Sequence, residues 1–254
     1  MNKSKSRTLS TVETSFRIVE TIANLDGARV SEIANQLDIP ASTVHGHLQT
    51  LYELSYLTKI GDEYHIGMQF LNRGGQVRQR REGYQLAKET TNQLAKKTGE
   101  RVQFVVEEHG RGYYVHTAIG ENAVRADARV GKRIYLHDSS AGKAILARLS
   151  DAVINDVMDK WGLPEFTEST ITERDEFFDE IEKVREQGYA INREESHKGL
   201  NAIGAAVETH QQEVLGAFSI SGPSNRLDGE RMQGEIISRL RGVTNELELK
   251  LSYL

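Results

Sequence analysis

Residues 42–51 read STVHGHLQTL, a run of hydroxyl, amide and imidazole side chains with no lysine or arginine between Arg29 and Lys59. Groups of this kind donate and accept hydrogen bonds at DNA base edges, and a threonine methyl suits a thymine methyl. The same run also suits a solvent-facing helix of no special role. Further along, HDSSAGKAIL pairs Gly142 with Lys143 as a phosphate loop would. The pattern fails, because position 137 is histidine instead of the required glycine and Lys143 is followed by Ala144. A serine-rich helix start there is either a small-anion site or a simple cap. Glu194, Glu195 and His197 have metal-ligating types, with His116 or His137 as partners, although acidic loops beside strands usually face solvent. Ser139, Ser219 and Ser221 have no base and orienting acid at motif spacing, and GRGYYV lacks the third glycine of a dinucleotide loop.

The elements that must position these residues follow from periodicity. Leu9, Val12, Phe16, Val19 and Ile22 recur every three or four residues, so an amphipathic helix runs over about 11–25. Ser10 or Thr11 is its expected N-cap and Gly27 its stop. VSEIANQL makes a short helix that Ser31 can cap, and Pro40 can start the next. Val44, Leu48 and Leu51 lie within about 40° of one direction on that helix. Ser42, Gly46 and Gln49 then face away from the core, flanked by Thr43, His45 and Thr50. Two short helices joined by so tight a turn are the helix-turn-helix pattern. YLTKIGDEYHIG follows as a hairpin in the position of a wing. Residues 68–84 read as a helical linker with a flexible or bent point at Gly74-Gly75. From residue 85 helices and strand-like runs (RVQFVVEE, GYYVHTA, NAVRADARVG, RIYLHD, YAINRE, NAIGAAVET, EVLGAFSISGP) alternate, and Thr172 with Asp175 resembles a capping box. The expectation is an α+β chain: a winged helix-turn-helix over 1–67, a linker over 68–84, and a second domain on an antiparallel sheet over 85–254.

Charge narrows the function. The net charge is −5, but residues 1–84 carry ten Lys/Arg and nine Asp/Glu, against 22 and 28 over 85–254. Affinity for DNA comes from phosphate neutralisation. Lys3, Lys5, Arg7, Arg17, Arg29 and Lys59 supply part of it, with Lys59 on the wing and Lys5 and Arg7 on an N-terminal arm. Arg73, Arg78, Arg80 and Arg81 either add backbone contacts or solubilise the linker. One copy of such a domain binds weakly, so a DNA-binding version nearly requires a dimer. The absence of cysteine excludes a disulfide framework and a thiolate metal site. A polar N-terminus and the lack of any long apolar run lead to the expectation of a cytoplasmic protein that does not enter a membrane.

LDIPASTVHGHLQTL and the YHIG…FL segment resemble the IclR family of transcription regulators, as do SSAGKAILA, GYAINREESHKGLNAIGAAV and AFSISGPSNRL, in the family's order. The resemblance covers nearly the whole chain. It implies a winged helix-turn-helix joined by a helix to a GAF-like effector-binding domain, in a homodimer or tetramer. Its partners would be double-stranded DNA with a roughly palindromic operator and a small-molecule effector, commonly an organic or aromatic acid; a small, wet pocket would suit a carboxylate that is a short polar or sugar-derived acid better than an aromatic one. Carried over residue by residue, the effector positions fall on Ala126, Ser140, Ala141, Asn192, Leu200, Ala202, Ser219 and Ser221. Gly46 stands where an arginine is common, Asn192 where aspartate is frequent, and Ala206 where proline is. No cofactor, resident metal or catalytic residue is implied. The alternatives are a GAF-like enzyme or metal-dependent sensor, and a pure dimerisation module.

Overall fold

A computed structural model describes residues 8–123, 129–229 and 231–253, which fall into two compact units divided between Val77 and Arg78. In the first unit, helices α1 (Ser10–Leu25), α2 (Val30–Leu37) and α3 (Ala41–Glu53) precede strands β1 (Leu57–Ile60) and β2 (Glu63–Ile66). Ile18, Ile22, Ile33, Val44, Leu48, Leu57 and Tyr64 form its core. The β1–β2 hairpin pairs Ile60 with Glu63 across a Gly61-Asp62 turn, and Gly61 takes the left-handed φ of +63° that the turn needs. Tyr64 also exchanges backbone hydrogen bonds with Ala28, which ties the hairpin to the α1–α2 turn.

Three sequence expectations shift at helix ends. Helix α1 starts after Leu9 without a side-chain cap. Ser31 lies inside α2, whose start is fixed by the Glu32 carboxylate accepting from the Arg29 backbone N–H at 2.7 Å. The Thr172/Asp175 box does not form at the start of the helix Arg174–Gln187, because its helical phase is set by buried Phe177, Ile181 and Val184 and its N-cap is Glu173. The bend expected at Gly74-Gly75 is absent: helix α4 runs unbroken over Gln69–Gln79, and the chain leaves helix at Arg80–Arg81. Neither glycine has a neighbour within 4 Å of where a Cβ would sit, so nothing there requires a kink.

The second unit contains α5 (Glu82–Thr98), β3 (Arg101–Glu108), β4 (Arg111–Ile119), β5 (Arg133–Ile134) and α6 (Ser140–Leu146). After these come α7 (Asp151–Trp161), α8 (Arg174–Gln187), β6 (Ala190–Arg193), β7 (Leu200–Glu208), β8 (Val214–Pro223) and α9 (Ile237–Leu251). A π-helical stretch, Arg231–Ile236, leads into α9. The strands form one antiparallel sheet in the order β5-β4-β3-β8-β7-β6. RIYLHD yields only the two-residue β5, and half of NAVRADARVG, with Ala126, lies outside the described residues, as do Lys3, Lys5 and Arg7. On one sheet face Val102, Phe104, Ile203, Phe218 and Ile220 pack with residues of α5 and α9. On the other, Val105 and Ala217 pack with residues of α6, α7 and α8. Both faces are covered, which explains why these strands read as continuous apolar runs.

Helix α6 lies hard against the sheet because two positions lack a Cβ. One built on Gly204 of β7 would meet the Ser140 carbonyl carbon at 2.6 Å. One built on Gly142 would meet the Leu136 oxygen at 2.2 Å. Any side chain at either place would lift the helix start from the strands that hold the second unit's polar residues.

Candidate functional site

The first candidate surface is α3. Val44 and Leu48 are fully buried, while Ser42, Thr43, His45, Gln49 and Thr50 are exposed on the opposite side. The face carries no cation. The Gln49 amide donates to Glu53 at 3.0 Å, and the Thr50 hydroxyl donates back to the Gly46 carbonyl at 2.9 Å. Gly46 opens onto solvent with no heavy atom near its absent Cβ. His47 leans inward, its Nδ1 2.8 Å from the Ser15 hydroxyl of α1, which fixes the angle between those helices. Lys59 is exposed on the wing with its ammonium 5.2 Å from the centre of the Tyr64 ring. Arg29 is engaged by Asp62 at 3.1 Å and Glu63 at 3.5 Å, so it braces the wing and has less charge to offer a phosphate.

The second candidate is a cavity of about 340 Å³ in the second unit. Its cations are Arg101, Arg111, Lys132 and Arg133; Tyr114, Tyr135, Phe166 and Leu200 give it aromatic and apolar wall; Asp138, Ser139, Ser196 and His197 close the polar side. Sheet register places Arg101 at its edge. Asn192 pairs with Ala202, Ala202 with Ser221, and Ser221 with Arg101, one row across four strands. The next row is Ala190, Gly204, Ser219 and Gln103. Alternation puts both rows on the α6 side.

The expected effector residues of the strands, Asn192, Leu200, Ala202, Ser219 and Ser221, therefore share the face that α6 covers, and most of the polar atoms of this group and of Ser140 are already engaged. The Ser140 and Ser219 hydroxyls are 3.0 Å apart. Ser221 accepts from the Arg101 Nε at 3.0 Å. With its amide oxygen turned toward Arg101, Gln103 also accepts from that Nε, at 2.6 Å. The Asn192 amide donates to the Asp138 carbonyl, and its oxygen accepts from the Glu195 N–H at 3.1 Å. An aspartate at 192 would lack the donor that holds Asp138. Ala141 and Ala202 are buried, and Leu200 borders the cavity itself.

Two cavity residues were not signalled by sequence. Arg101 is 6% exposed, and its Nη1 is buried without a hydrogen-bond partner. Asp138 is 7% exposed, and its Oδ1 is likewise buried and unpartnered. Burial pushes the Asp138 carboxyl from 3.8 up to about 7, helped by the negative charge of Glu195. Arg111 lies flat on Tyr135, 3.6 Å from the ring centre, while its Nε donates to the Ile134 carbonyl at 2.9 Å. The only available hint was polar residues at alternate positions, Arg101 and Gln103, in an otherwise apolar strand.

The glycine–lysine pair has another role. Lys143 is wholly buried, and its ammonium donates to Glu195 at 2.8 Å, Glu180 at 2.9 Å and the Ile191 carbonyl at 2.6 Å. Ser139 caps α6, accepting from the Gly142 N–H at 3.1 Å. The histidines weighed as metal ligands are held apart by other partners. His137 donates from Nε2 to the Pro164 carbonyl at 3.0 Å. His116 of β4 donates from Nε2 to the Tyr84 carbonyl at 2.6 Å and accepts at Nδ1 from Arg78 at 2.9 Å. Burial lowers its pKa to about 4, so it is neutral and both bonds have the correct polarity.

Comparison with known proteins adds to this geometry. The model of the IclR helix-turn-helix domain matches residues 11–61, and that of the bacterial transcriptional regulator IclR C-terminal region matches residues 76–248. The probable HTH-type transcriptional regulator ArcR of Halobacterium salinarum is 28% identical, over 98% of this chain and 97% of its own. The HTH-type transcriptional repressor AllR of Escherichia coli is 31% identical, over 87% and 83%. The crystal structure of Thermotoga maritima IclR superposes with a TM-score of 0.79 at 26% identity, covering 97% of this chain and all of that one. An IclR homolog from Microbacterium hydrocarbonoxydans, solved with 4-hydroxybenzoate, gives 0.81 at 21% identity over 96% and 100%, a likeness of fold alone. These relatives are named as regulators of transcription.

Proposed function

Since the chain belongs to the IclR family of DNA-binding transcription regulators with a C-terminal effector domain, we propose that α3 reads the major groove of a roughly palindromic operator. A small organic or sugar-derived acid in the sensor cavity would control the binding. The observation that carries the reading is the α3 face: five exposed donor-acceptor side chains set over two fully buried apolar residues. Ser42, Thr43, His45, Gln49 and Thr50 contact base edges, and Lys59 contacts phosphate. Lys5 and Arg7 precede α1 and serve as an arm.

So few cations on one copy call for two. Leu9, Val12 and Phe16 on α1 and Met68 and Leu71 at α4 are exposed apolar residues of the DNA-binding unit. A second copy of the chain is the occupant proposed for this face, since pairing doubles the phosphate contacts and sets the half-site spacing. The Arg78–His116 bond supplies the coupling. It fastens the last turn of α4 to β4, the strand whose Arg111 and Tyr114 border the cavity. A ligand that shifts β4 thus acts on the helix leading to the reading unit.

The test is affinity for the DNA upstream of the protein's own gene, measured against salt and against random duplex. Specific binding that weakens steeply with salt is expected. His45→Ala and Gln49→Ala should erode the preference for specific DNA, while Lys59→Ala should weaken all DNA alike. Equal affinity for both duplexes would overturn the reading, and an intact preference in both alanine variants would make α3 a scaffold.

A further inference from the structure

We propose that the sensor cavity is a two-point reader of a small hydroxycarboxylate, with the ligand carboxylate on the Arg101 guanidinium and a hydroxyl of its carbon skeleton on the Asp138 carboxyl. This rests on the effector-binding reading and specifies the chemistry of its ligand.

The argument starts from two buried polar atoms. Buried polar groups in folded proteins are nearly always hydrogen-bonded, because an unpartnered one loses its hydration with nothing in return. Arg101 Nη1 and Asp138 Oδ1 both break that rule, and both side chains border the same cavity. No described residue completes either one. Arg101 is held from behind: its Nε is occupied by Ser221, in the row running through Ala202 to Asn192. Its orientation is therefore fixed, and the unpartnered Nη1 is a preorganised donor. Asp138 is held from behind as well, through its carbonyl, by Asn192. Both point groups thus stand on Asn192, Ala202 and Ser221, so those residues shape the site without needing to touch its ligand.

Charge assigns the roles. Among the described residues that line the cavity, Arg101, Arg111 and Arg133 outnumber the one carboxyl, Asp138, so the ligand is an anion. Arginine matches a carboxylate in shape as well as sign. Asp138 takes a different kind of group. Burial favours its neutral form, and Glu195 behind it repels further negative charge. A hydroxyl both donates and accepts, so it satisfies this carboxyl in either protonation state. A plain alkyl acid would leave Oδ1 buried and unpaired. The Tyr135 and Phe166 rings, 5.4 Å apart, offer C–H-compatible wall to the carbon chain between the two polar ends.

The experiment uses the full-length protein near neutral pH, with binding measured by calorimetry up to about 10 mM probe. The probes are two matched pairs, D-glycerate against propionate and D-gluconate against hexanoate. In at least one pair the hydroxylated acid should bind about tenfold or more tighter, the discrimination one well-placed hydrogen bond supplies. Asp138→Leu, or Asp138→Ala should the first not fold, should bring that acid down to its alkyl partner while leaving the alkyl acid unchanged. Asp138→Asn, which keeps an acceptor in place, should retain the preference. Arg101→Met should weaken both members of the pair. Binding without hydroxyl preference, or a preference that survives Asp138→Leu and Asp138→Ala, overturns this inference and leaves the effector reading standing. If none of the four acids binds, the inference falls with it, and the effector reading falls too if operator binding also ignores extracts of small metabolites.

Discussion

Replacing Lys143 by methionine removes the charge and keeps the length of a side chain that no solvent reaches. Its ammonium is the partner of Glu195, whose side chain is 8% exposed, and of Glu180, which is 21% exposed. Glu180 can turn toward water, so its loss is small. Glu195 cannot, and stripping one partner from a buried ion pair costs about 3–5 kcal/mol, mostly because the remaining charge is left unpaired. In a unit of this size each kcal/mol lowers the melting temperature by about 2–4 °C, so the expected drop is about 6–20 °C. Burial already pushes the Glu195 carboxyl up with Lys143 beside it. Without Lys143 it takes a proton more readily, and the deficit should therefore shrink as pH falls. Lys143→Met/Glu195→Gln should recover most of the loss, since neither charge remains. The assay is thermal unfolding of the full chain at fixed protein concentration, because dimerisation would make the midpoint concentration-dependent. A drop below about 2 °C, or a double variant no better than the single one, would refute the view that this cation is a structural clasp. The clasp matters for function because Glu195 lies in the β6–β7 turn, whose Ser196 and His197 border the cavity.

Gly46→Ala should stabilise the DNA-binding unit by about 1 kcal/mol in urea unfolding, since the position is helical and the added methyl meets nothing. Gly46→Arg should steepen the salt dependence of DNA binding by about 0.9 in log–log slope per added phosphate contact, and an unchanged slope would show that the face does not approach DNA. Asp138 makes the sensor unit's stability fall with rising pH. Its folded carboxyl keeps a proton up to about 7, whereas the unfolded one releases it near 3.8. The contribution is full below the lower value and lost through the upper one. Asp138→Asn should abolish that fall, so urea midpoints at mildly acidic and mildly alkaline pH should converge; the same pH profile in both proteins would refute the assignment.

The sequence revealed what local periodicity encodes. Val44, Leu48 and Leu51 recur at helical spacing, and that alone separated the exposed face of α3 from its buried one. Ser219 and Ser221 alternate on one strand, which placed them on one side of the sheet before β7 or β3 was known to flank them. The cavity's chemistry was hidden because it depends on register between distant segments. Arg101 meets Ser221 across 120 positions of sequence. RVQFVVEE gives no sign of which strand lies beside it. Lys143 misled for the same reason: the Gly-Lys pair is local, whereas the carboxylates that engage the lysine come from α8 and the β6–β7 turn. The bend at Gly74-Gly75 failed from the opposite cause. Glycine permits a break in a helix without imposing one, and α4 has no neighbour there to force it.

These cases point to a more discriminating signal than the serines that carried the family resemblance. In a strand covered on both faces, an arginine or glutamine at an inward position must find a partner or a ligand, since burial alone is unfavourable for it. Gln103 finds its partners within the sheet. Arg101 finds only some of its own: its Nη1 is buried without one, and its side chain borders the cavity. Ser221 therefore holds Arg101 in place, whereas Ser219 engages Ser140, and exchanging Ser221 should change ligand affinity chiefly through the orientation of that guanidinium. Ser221→Ala makes the distinction measurable. It should weaken every carboxylate alike while leaving the hydroxyl preference intact, because Asp138 is held separately, through Asn192. Loss of the preference in Ser221→Ala would instead mean that the serine itself reads the hydroxyl.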